Sequence, residues 1–269
     1  MAKPRALLMP ATAEAINARD HFSGKVALVT GAGQGIGRAI ALTFGRNGAR
    51  VAVNDINPDT AHKTAAEIEA LRGEAAAHVT DVSRKMAVQA MVTDVVEKWG
   101  GLDILINNAG VEPSGALLTF DEFDWDRTLA VNLKGSFLCI QAAARVMQSG
   151  GGGVIVNVGS IAGRAHGLHH RAAYTASKTG LLGLTREAAR ELAADNIRVN
   201  AVCPGVIATP LTADLRADAE QMERWKNEIP QGRLGETGDV VGLTLFLCSP
   251  AAGYITGQAI NVDGGKVMS

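Results

Sequence analysis

The chain has two tyrosines, and one of them, Tyr174, lies four residues before Lys178 in AAYTASKTG (172–180). Four residues is about one helical turn, so both side chains share a face if the stretch is helical. A free tyrosine ionises at about pH 10 and is a poor base at neutrality. An adjacent ammonium favours the phenolate and lowers that value. A fall of roughly two to three units corresponds to about 3–4 kcal/mol. The pair therefore predicts a group that takes a proton from an alcohol while hydride leaves the carbinol carbon. Such spacing also arises by chance, so the neighbours must decide. Ser160 closes VIVNVGS (154–160), and its hydroxyl could hold a substrate oxygen opposite Tyr174. Asn132, in LAVNLKGSF, sits inside a helical pattern where asparagine is a poor choice. Its amide could hold a water that relays protons to Lys178.

A second group of residues suits an anion. The apolar run KVALVT (25–30) leads straight into TGAGQGIG (30–37). Gly31, Gly35 and Gly37 allow a tight turn and let backbone amides approach a pyrophosphate. The next helix points its positive end at that anion. No Gly-Lys-Ser/Thr comes after the loop, which excludes a P-loop. Asp55 ends RVAVND (50–55), near the spacing at which a carboxylate accepts hydrogen bonds from an adenosine ribose. A carboxylate there repels a 2′-phosphate, so NAD is favoured over NADP. Arg38 and Arg50 are the cations that could instead meet a phosphate.

These residues need a frame. Helical stretches are predicted over 36–47, 58–73, 83–100, 121–149, from before Tyr174 to about 194, and about 238–248. Strands are predicted over 25–30, 50–55, 74–80, 102–108, 154–160, 197–205 and 258–265. Pro58 and Gly73 punctuate one helix, and Ser83 and Gly100 cap another. Repeated strand–helix alternation means an α/β protein, a single-domain doubly wound parallel sheet with helices on both faces. The domain spans 23–269, with 1–22 as a tail.

Composition narrows the partners. A formal net charge of -1 argues against a nucleic-acid binder. No window approaches the roughly 20 apolar residues of a membrane span. The early ALLM run is shorter than a signal-peptide core. Cys139, Cys203 and Cys248 are widely spaced, form no Cys-x-x-Cys pair and read as small buried hydrophobes in a reducing, cytoplasmic setting.

The chain resembles the short-chain dehydrogenase/reductase family. The matches are TGAGQGIG (30–37), Asp81-Val82, NNAG (107–110), Asn132, Ser160, YTASK (174–178) and PGVIAT (204–209), in order, across residues 24–265. The resemblance implies a Rossmann fold and a catalytic tetrad of Asn132, Ser160, Tyr174 and Lys178. Tyr174 would be the acid/base, and Lys178 would also bind the nicotinamide ribose. It implies a dinucleotide held by Gly31, Gly33, Gln34, Gly35, Ile36 and Gly37, with Asp55 and Ile56 at the ribose and Asp81 and Val82 at the adenine. Asn108, Ala109 and Gly110 would line the cleft, and Pro204, Gly205, Ile207 and Thr209 the nicotinamide end. It also implies a homotetramer or homodimer.

Substrate choice should lie in residues 111–119, 161–171 and 210–232. The second stretch carries His166, His169 and His170 with Arg164 and Arg171. It reads as a solvated loop, as a wall for a polar or anionic substrate, or, lacking a Cys or acidic partner nearby, least well as a metal site. The third reads as a lid with Met222 and Trp225 as apolar contacts, or as a packed surface helix pair. Three functions are compatible with these residues. The first is an NAD-dependent dehydrogenase acting on a small-molecule secondary alcohol or ketone. The second is an NADPH-dependent 3-oxoacyl-thioester reductase. The third is a dinucleotide-binding regulator without turnover.

Overall fold

The computed structural model describes residues 22–164 and 168–268. Seven strands form one sheet: β1 (Val26–Val29), β2 (Arg50–Asp55), β3 (Glu74–Val79), β4 (Ile104–Asn107), β5 (Gly153–Val158), β6 (Ile197–Pro204) and β7 (Ala259–Val262). The order is β3-β2-β1-β4-β5-β6-β7, and every pairing is parallel. Because the strands are buried on both sides, their residues alternate between two cores. Val29, Ile106 and Val156 join α1 (Gly35–Arg46), α2 (Pro58–Ala70) and α9 (Thr237–Cys248) through Phe44, Ile68 and Leu247. Leu28, Leu105 and Ile155 join α3 (Lys85–Trp99), α5 (Ser136–Gly150) and α6 (Ala172–Leu192) through Met91, Met147 and Ala188.

Local chemistry sets the ends of these helices. Asn57 caps α2, its side chain accepting from Asp59 N and Thr60 N, with Pro58 in the first turn. Gly100 closes α3 in the left-handed conformation. The expected serine cap of α3 is not formed. Arg84 holds that position without a side-chain bond, because the Ser83 hydroxyl and amide both donate to Asp81 Oδ1, at 2.7 and 2.9 Å.

The long helical pattern at 121–149 breaks into three parts. α4 (Glu122–Leu129) leads into a π-helical turn, Ala130–Gly135, and then into α5. The region expected to form a lid folds into two short helices, α7 (Ala213–Arg216) and α8 (Ala219–Glu228), with Met222 and Trp225 half-buried. Phe22, assigned to the tail from sequence, is buried and meets the Phe44 ring edge-on at 4.9 Å. The rest of the expected tail lies outside the described residues. Among the described residues no helix is long and apolar enough to cross a membrane.

Candidate active site and dinucleotide cleft

The carboxyl ends of β1, β2 and β4 meet where the strand order reverses, the switch point at which open parallel sheets bind ligands. There the chain forms a cleft of about 650 Å³. Its floor is stitched together by Thr30 and Asn108. Thr30 Oγ1 accepts from Asn108 N at 3.0 Å and Ala109 N at 3.1 Å. Asn108 Nδ2 returns bonds to Thr30 O and Gly31 O, at 3.0 and 2.9 Å. So tight a junction leaves no room for side chains. Gly31 has φ +60°, and a Cβ there would lie 2.8 Å from Ala109 Cα. A Cβ on Gly37 would press into Asn108 Nδ2 and Gly31 O.

Gln34, Gly35 and Ile36 line one wall of the cleft. They begin α1, whose first turn has no side-chain cap and no acidic residue, so its free amides suit an anion. Asp55, Ile56, Asp81, Val82 and Arg84 line the far end. Asp55 Oδ2 accepts from Gly33 N at 2.9 Å, and its Oδ1 from Asn57 N at 3.0 Å. Burial raises the Asp81 carboxyl, but the Ser83 bonds and the Arg84 charge outweigh it and hold the group below its ordinary value. Arg38 pairs with Glu67, and Arg50 Nε lies 3.2 Å from Glu74 Oε2. A dinucleotide fits this donor set. Its phosphates match the amide end and its ribose hydroxyls match a carboxylate with lone pairs to spare.

Asn108, Ala109, Gly110 and Thr209 line the opposite end of the cleft. Gly33 packs toward Asp55 and Thr60, and Gly37 toward Asn108 and Gly31 O. Pro204, Gly205 and Ile207 are also off the cleft wall. Gly205 faces Asp263, where a Cβ would come within 2.7 Å of Asp263 Cβ, and Ile207 is buried in the core.

The four expected catalytic residues gather just beyond Gly110. A Cβ on Gly110 would sit 3.3 Å from Asn132 Oδ1 and 3.7 Å from Lys178 Nζ. Ser160 lies two residues past the end of β5 and is buried. Its hydroxyl accepts from Ala162 N at 3.1 Å, and its side chain favours ionisation of the Tyr174 phenol. Lys178 is buried, and its Nζ donates to Val158 O at 2.8 Å.

Two expectations are corrected here. The first concerns Lys178 and the Tyr174 phenol. The Lys178 Nζ lies 5.7 Å from the ring centroid, over the ring. Burial pushes the Tyr174 phenol above its ordinary value, and the Glu112 charge adds to this. Ser160 and Arg171 pull the other way without overcoming this. Burial likewise pushes Lys178 down to about 8, against Glu112. The protein alone therefore disfavours the Tyr174 phenolate. The second correction concerns Asn132. Both of its N–H donors are occupied, by Val111 O and Ser177 Oγ at 3.0 Å each, and its Oδ1 accepts from Val111 N at 2.8 Å. The amide is a clamp on Val111, with only an Oδ1 lone pair left for water. Its own carbonyl, in the π-helical turn, accepts from Ser136 Oγ at 3.0 Å.

The sequence reading missed Thr30, and it missed the partner of Arg171. That guanidinium does not stand ready for an anionic substrate. Its Nε donates to Glu112 Oε1 at 3.0 Å. Phe123, Asp126 and Arg127 of α4 also line the cleft. A phenylalanine set among acidic residues in DEFDWD (121–126), in a chain with 4% aromatic residues, was the available signal. Among the described residues no group of three His, Cys, Asp or Glu could hold a metal ion, and His166 lies outside them.

Comparison with known proteins agrees with this geometry. A family model described as enoyl-(acyl carrier protein) reductase matches residues 31–266. A 3-oxoacyl-[acyl-carrier-protein] reductase of Thermotoga maritima is 42% identical over 248 residues, 92% of this chain and 100% of that protein. A short-chain type dehydrogenase/reductase from Mycobacterium marinum superposes with a TM-score of 0.88 at 38% identity, over 92% of this chain and 97% of the other. A 7α-hydroxysteroid dehydrogenase in complex with NADH and 7-oxoglycochenodeoxycholic acid superposes with a TM-score of 0.89 at 36% identity, over 94% and 99%. The chain belongs to the short-chain dehydrogenase/reductase family. It is an oxidoreductase that binds a nicotinamide dinucleotide and acts on CH–OH or keto groups.

Proposed function

We propose that the protein transfers hydride between NAD(H) and a secondary alcohol or ketone, with Tyr174 as acid/base. The observation that carries this reading is the Lys178 ammonium over the Tyr174 ring at 5.7 Å, with Ser160 just past the end of β5, beside a cleft with an amide-rich end and a carboxylate end. The bound nicotinamide supplies or accepts the hydride. Ser160 holds the substrate oxygen. Tyr174 gives that oxygen a proton during reduction and takes one during oxidation. Lys178, anchored on Val158 O, carries the positive charge near the ring and holds the nicotinamide ribose. Asn132 keeps Val111, and with it the mouth of the cleft, in place.

NAD is favoured because Asp55 stands at the ribose end, and because the arginines that could meet a 2′-phosphate, Arg38 and Arg50, are paired with Glu67 and Glu74. A second reading, reduction of a 3-oxoacyl thioester with NADPH, draws support from the Thermotoga relative and from a phenol that holds its proton. Arg84, on the cleft wall beside Asp81, is the cation that reading would need. The segment 210–232 serves as the substrate lid, with exposed Leu211 at the cleft. The apolar groove of Leu129, Leu133, Phe137 and Leu184 suits a homodimer or homotetramer contact. Three buried free cysteines suit the cytoplasm.

Titration of the purified protein with NADH and with NADPH tests the cofactor. NADH is expected to bind more tightly, and a preference for NADPH moves the reductase reading to first place. Tyr174→Phe tests the chemistry. Turnover should be abolished with cofactor affinity nearly unchanged, and surviving turnover sinks the mechanism.

A further inference from the structure

The mouth of the site contains an ion pair that the proposed chemistry does not use. Glu112 lies just past the NNAG turn, and Arg171 stands at the N-terminus of α6, three residues before Tyr174. The two are about four-fifths buried and meet at 3.0 Å. Among the described residues Arg171 is the sole hydrogen-bond partner of the Glu112 carboxylate. Both segments of this contact are fixed. Asn132 grips Val111, the residue before Glu112, through its N–H and its C=O. Gly115 N donates to His170 O at 3.0 Å, and His170 adopts φ +58° to offer that carbonyl. This left-handed backbone is costly for a residue with a side chain. It joins the mouth loop to the helix that carries Tyr174.

We infer that Glu112 and Arg171 are positioning residues of opposite sign, a buried pair that ties the mouth loop to α6 and sets the charge that the Tyr174 phenol meets. The inference rests on Tyr174 being the acid/base of the site. The other groups facing the phenol are Ser160 after β5, Cys203 on β6 and Lys178 on α6 itself. Glu112 opposes loss of the phenolic proton and Arg171 favours it. Glu112 also steadies the charge on Lys178. The pair thus lets the site hold a proton for reduction while keeping a cation close for the reverse reaction.

The test reads the phenol directly. Tyr254→Phe removes the other tyrosine, so trifluorotyrosine supplied during growth labels position 174 alone. Fluorination makes the phenol more acidic, and its 19F resonance tracks ionisation while the protein stays folded. In this background Glu112→Gln should lower the midpoint, and Arg171→Gln should raise it, each by at least about half a pH unit. Charge-keeping Glu112→Asp and Arg171→Lys should hold it near the starting value. A midpoint that does not move in either charge-removing variant overturns the inference. So does a fall in both, because a loosened site admits water and lowers the phenol whichever partner is lost. A fall in Glu112→Asp as large as in Glu112→Gln overturns it as well. The readout does not depend on turnover, so an active Tyr174→Phe enzyme would refute the acid/base reading while leaving this result intact.

Discussion

The cleft and its mouth are built by different means. At the cleft the main chains close up on each other: the Thr30 and Asn108 side chains lace β1 to β4 through bonds to backbone groups, and Gly31 and Gly37 fill spaces that admit no side chain. At the mouth, short turns carry side chains outward. Leu117, Leu118 and Leu211 are exposed there, and side chains hold the segments through the Glu112–Arg171 ion pair and the Asn132 clamp on Val111, with a backbone bond from Gly115 to His170 beside them. The contrast teaches a division of labour. A ligand common to many reactions can be held by fixed backbone geometry, whereas the choice of substrate is left to side chains that can change without disturbing the sheet.

Substitutions can break or sharpen this contrast. The largest effect is expected from Gly37→Val, where the new side chain meets Asn108 and the Gly31 carbonyl. Cofactor binding should be lost and stability should fall by about 3 kcal/mol or more, measured by NADH titration and urea unfolding. Retained NADH binding would mean that the junction is not rigid. Asn132→Ala comes next. It leaves both Val111 polar groups unpaired and should cost about 2–4 kcal/mol, with turnover down about 100-fold through a displaced mouth. Asp55→Asn should narrow the preference for NADH over NADPH by about tenfold, or roughly 1.4 kcal/mol, with little change in stability.

A smaller effect is expected at Asp239, which lies in the first turn of α9. The Arg233 hydrogen bonds and the Glu236 amide hold its carboxyl at about 2, below the usual 3.8. The folded state therefore gains from this group above about pH 3.8 and loses that gain as pH falls toward 2. Urea midpoints of the protein and its Asp239→Asn variant should differ at pH 7 and converge as the pH is lowered through that window. The least is expected of Leu118→Ser at the mouth. An exposed position of this kind should change stability by no more than about 0.5 kcal/mol. A loss matching Gly37→Val would erase the contrast between the two regions.

The legibility of the sequence divides along the same line. The strands and the glycine loop were readable because backbone demands leave residue types behind: β-branched runs, a proline at a helix start, glycines at close approaches. Asp55 was readable from its place at a strand end. The environment of Tyr174 was not. Spacing placed Lys178 on the right face of α6 but did not say that its Nζ would anchor on Val158 O, or that burial and Glu112 would dominate the phenol. These influences come from residues distant in sequence. Glu112 and Arg171 are 59 positions apart, and nothing in either segment names the other. The role of Asn132 was half legible. A poor helix residue flagged the place, but its partners at Val111 and Ser177 emerge only from the packing of α6 against the π-helical turn.

That turn has one further consequence. A π-helical turn holds one residue more than an α-helix would, and each added residue rotates the rest of the helix by about 100°. Residues 122–150 are thus two helices in series but out of phase. Phe123, Asp126 and Ala130 border the cleft, while Leu138, Cys139 and Met147 enter the core. Asn132 stands at the phase change. Deleting one residue between Ala130 and Gly135 would restore a continuous helix and make the segment more regular. It would also turn α4 away from the cleft and pull Asn132 off Val111. The site depends on a local miscount in an otherwise periodic element.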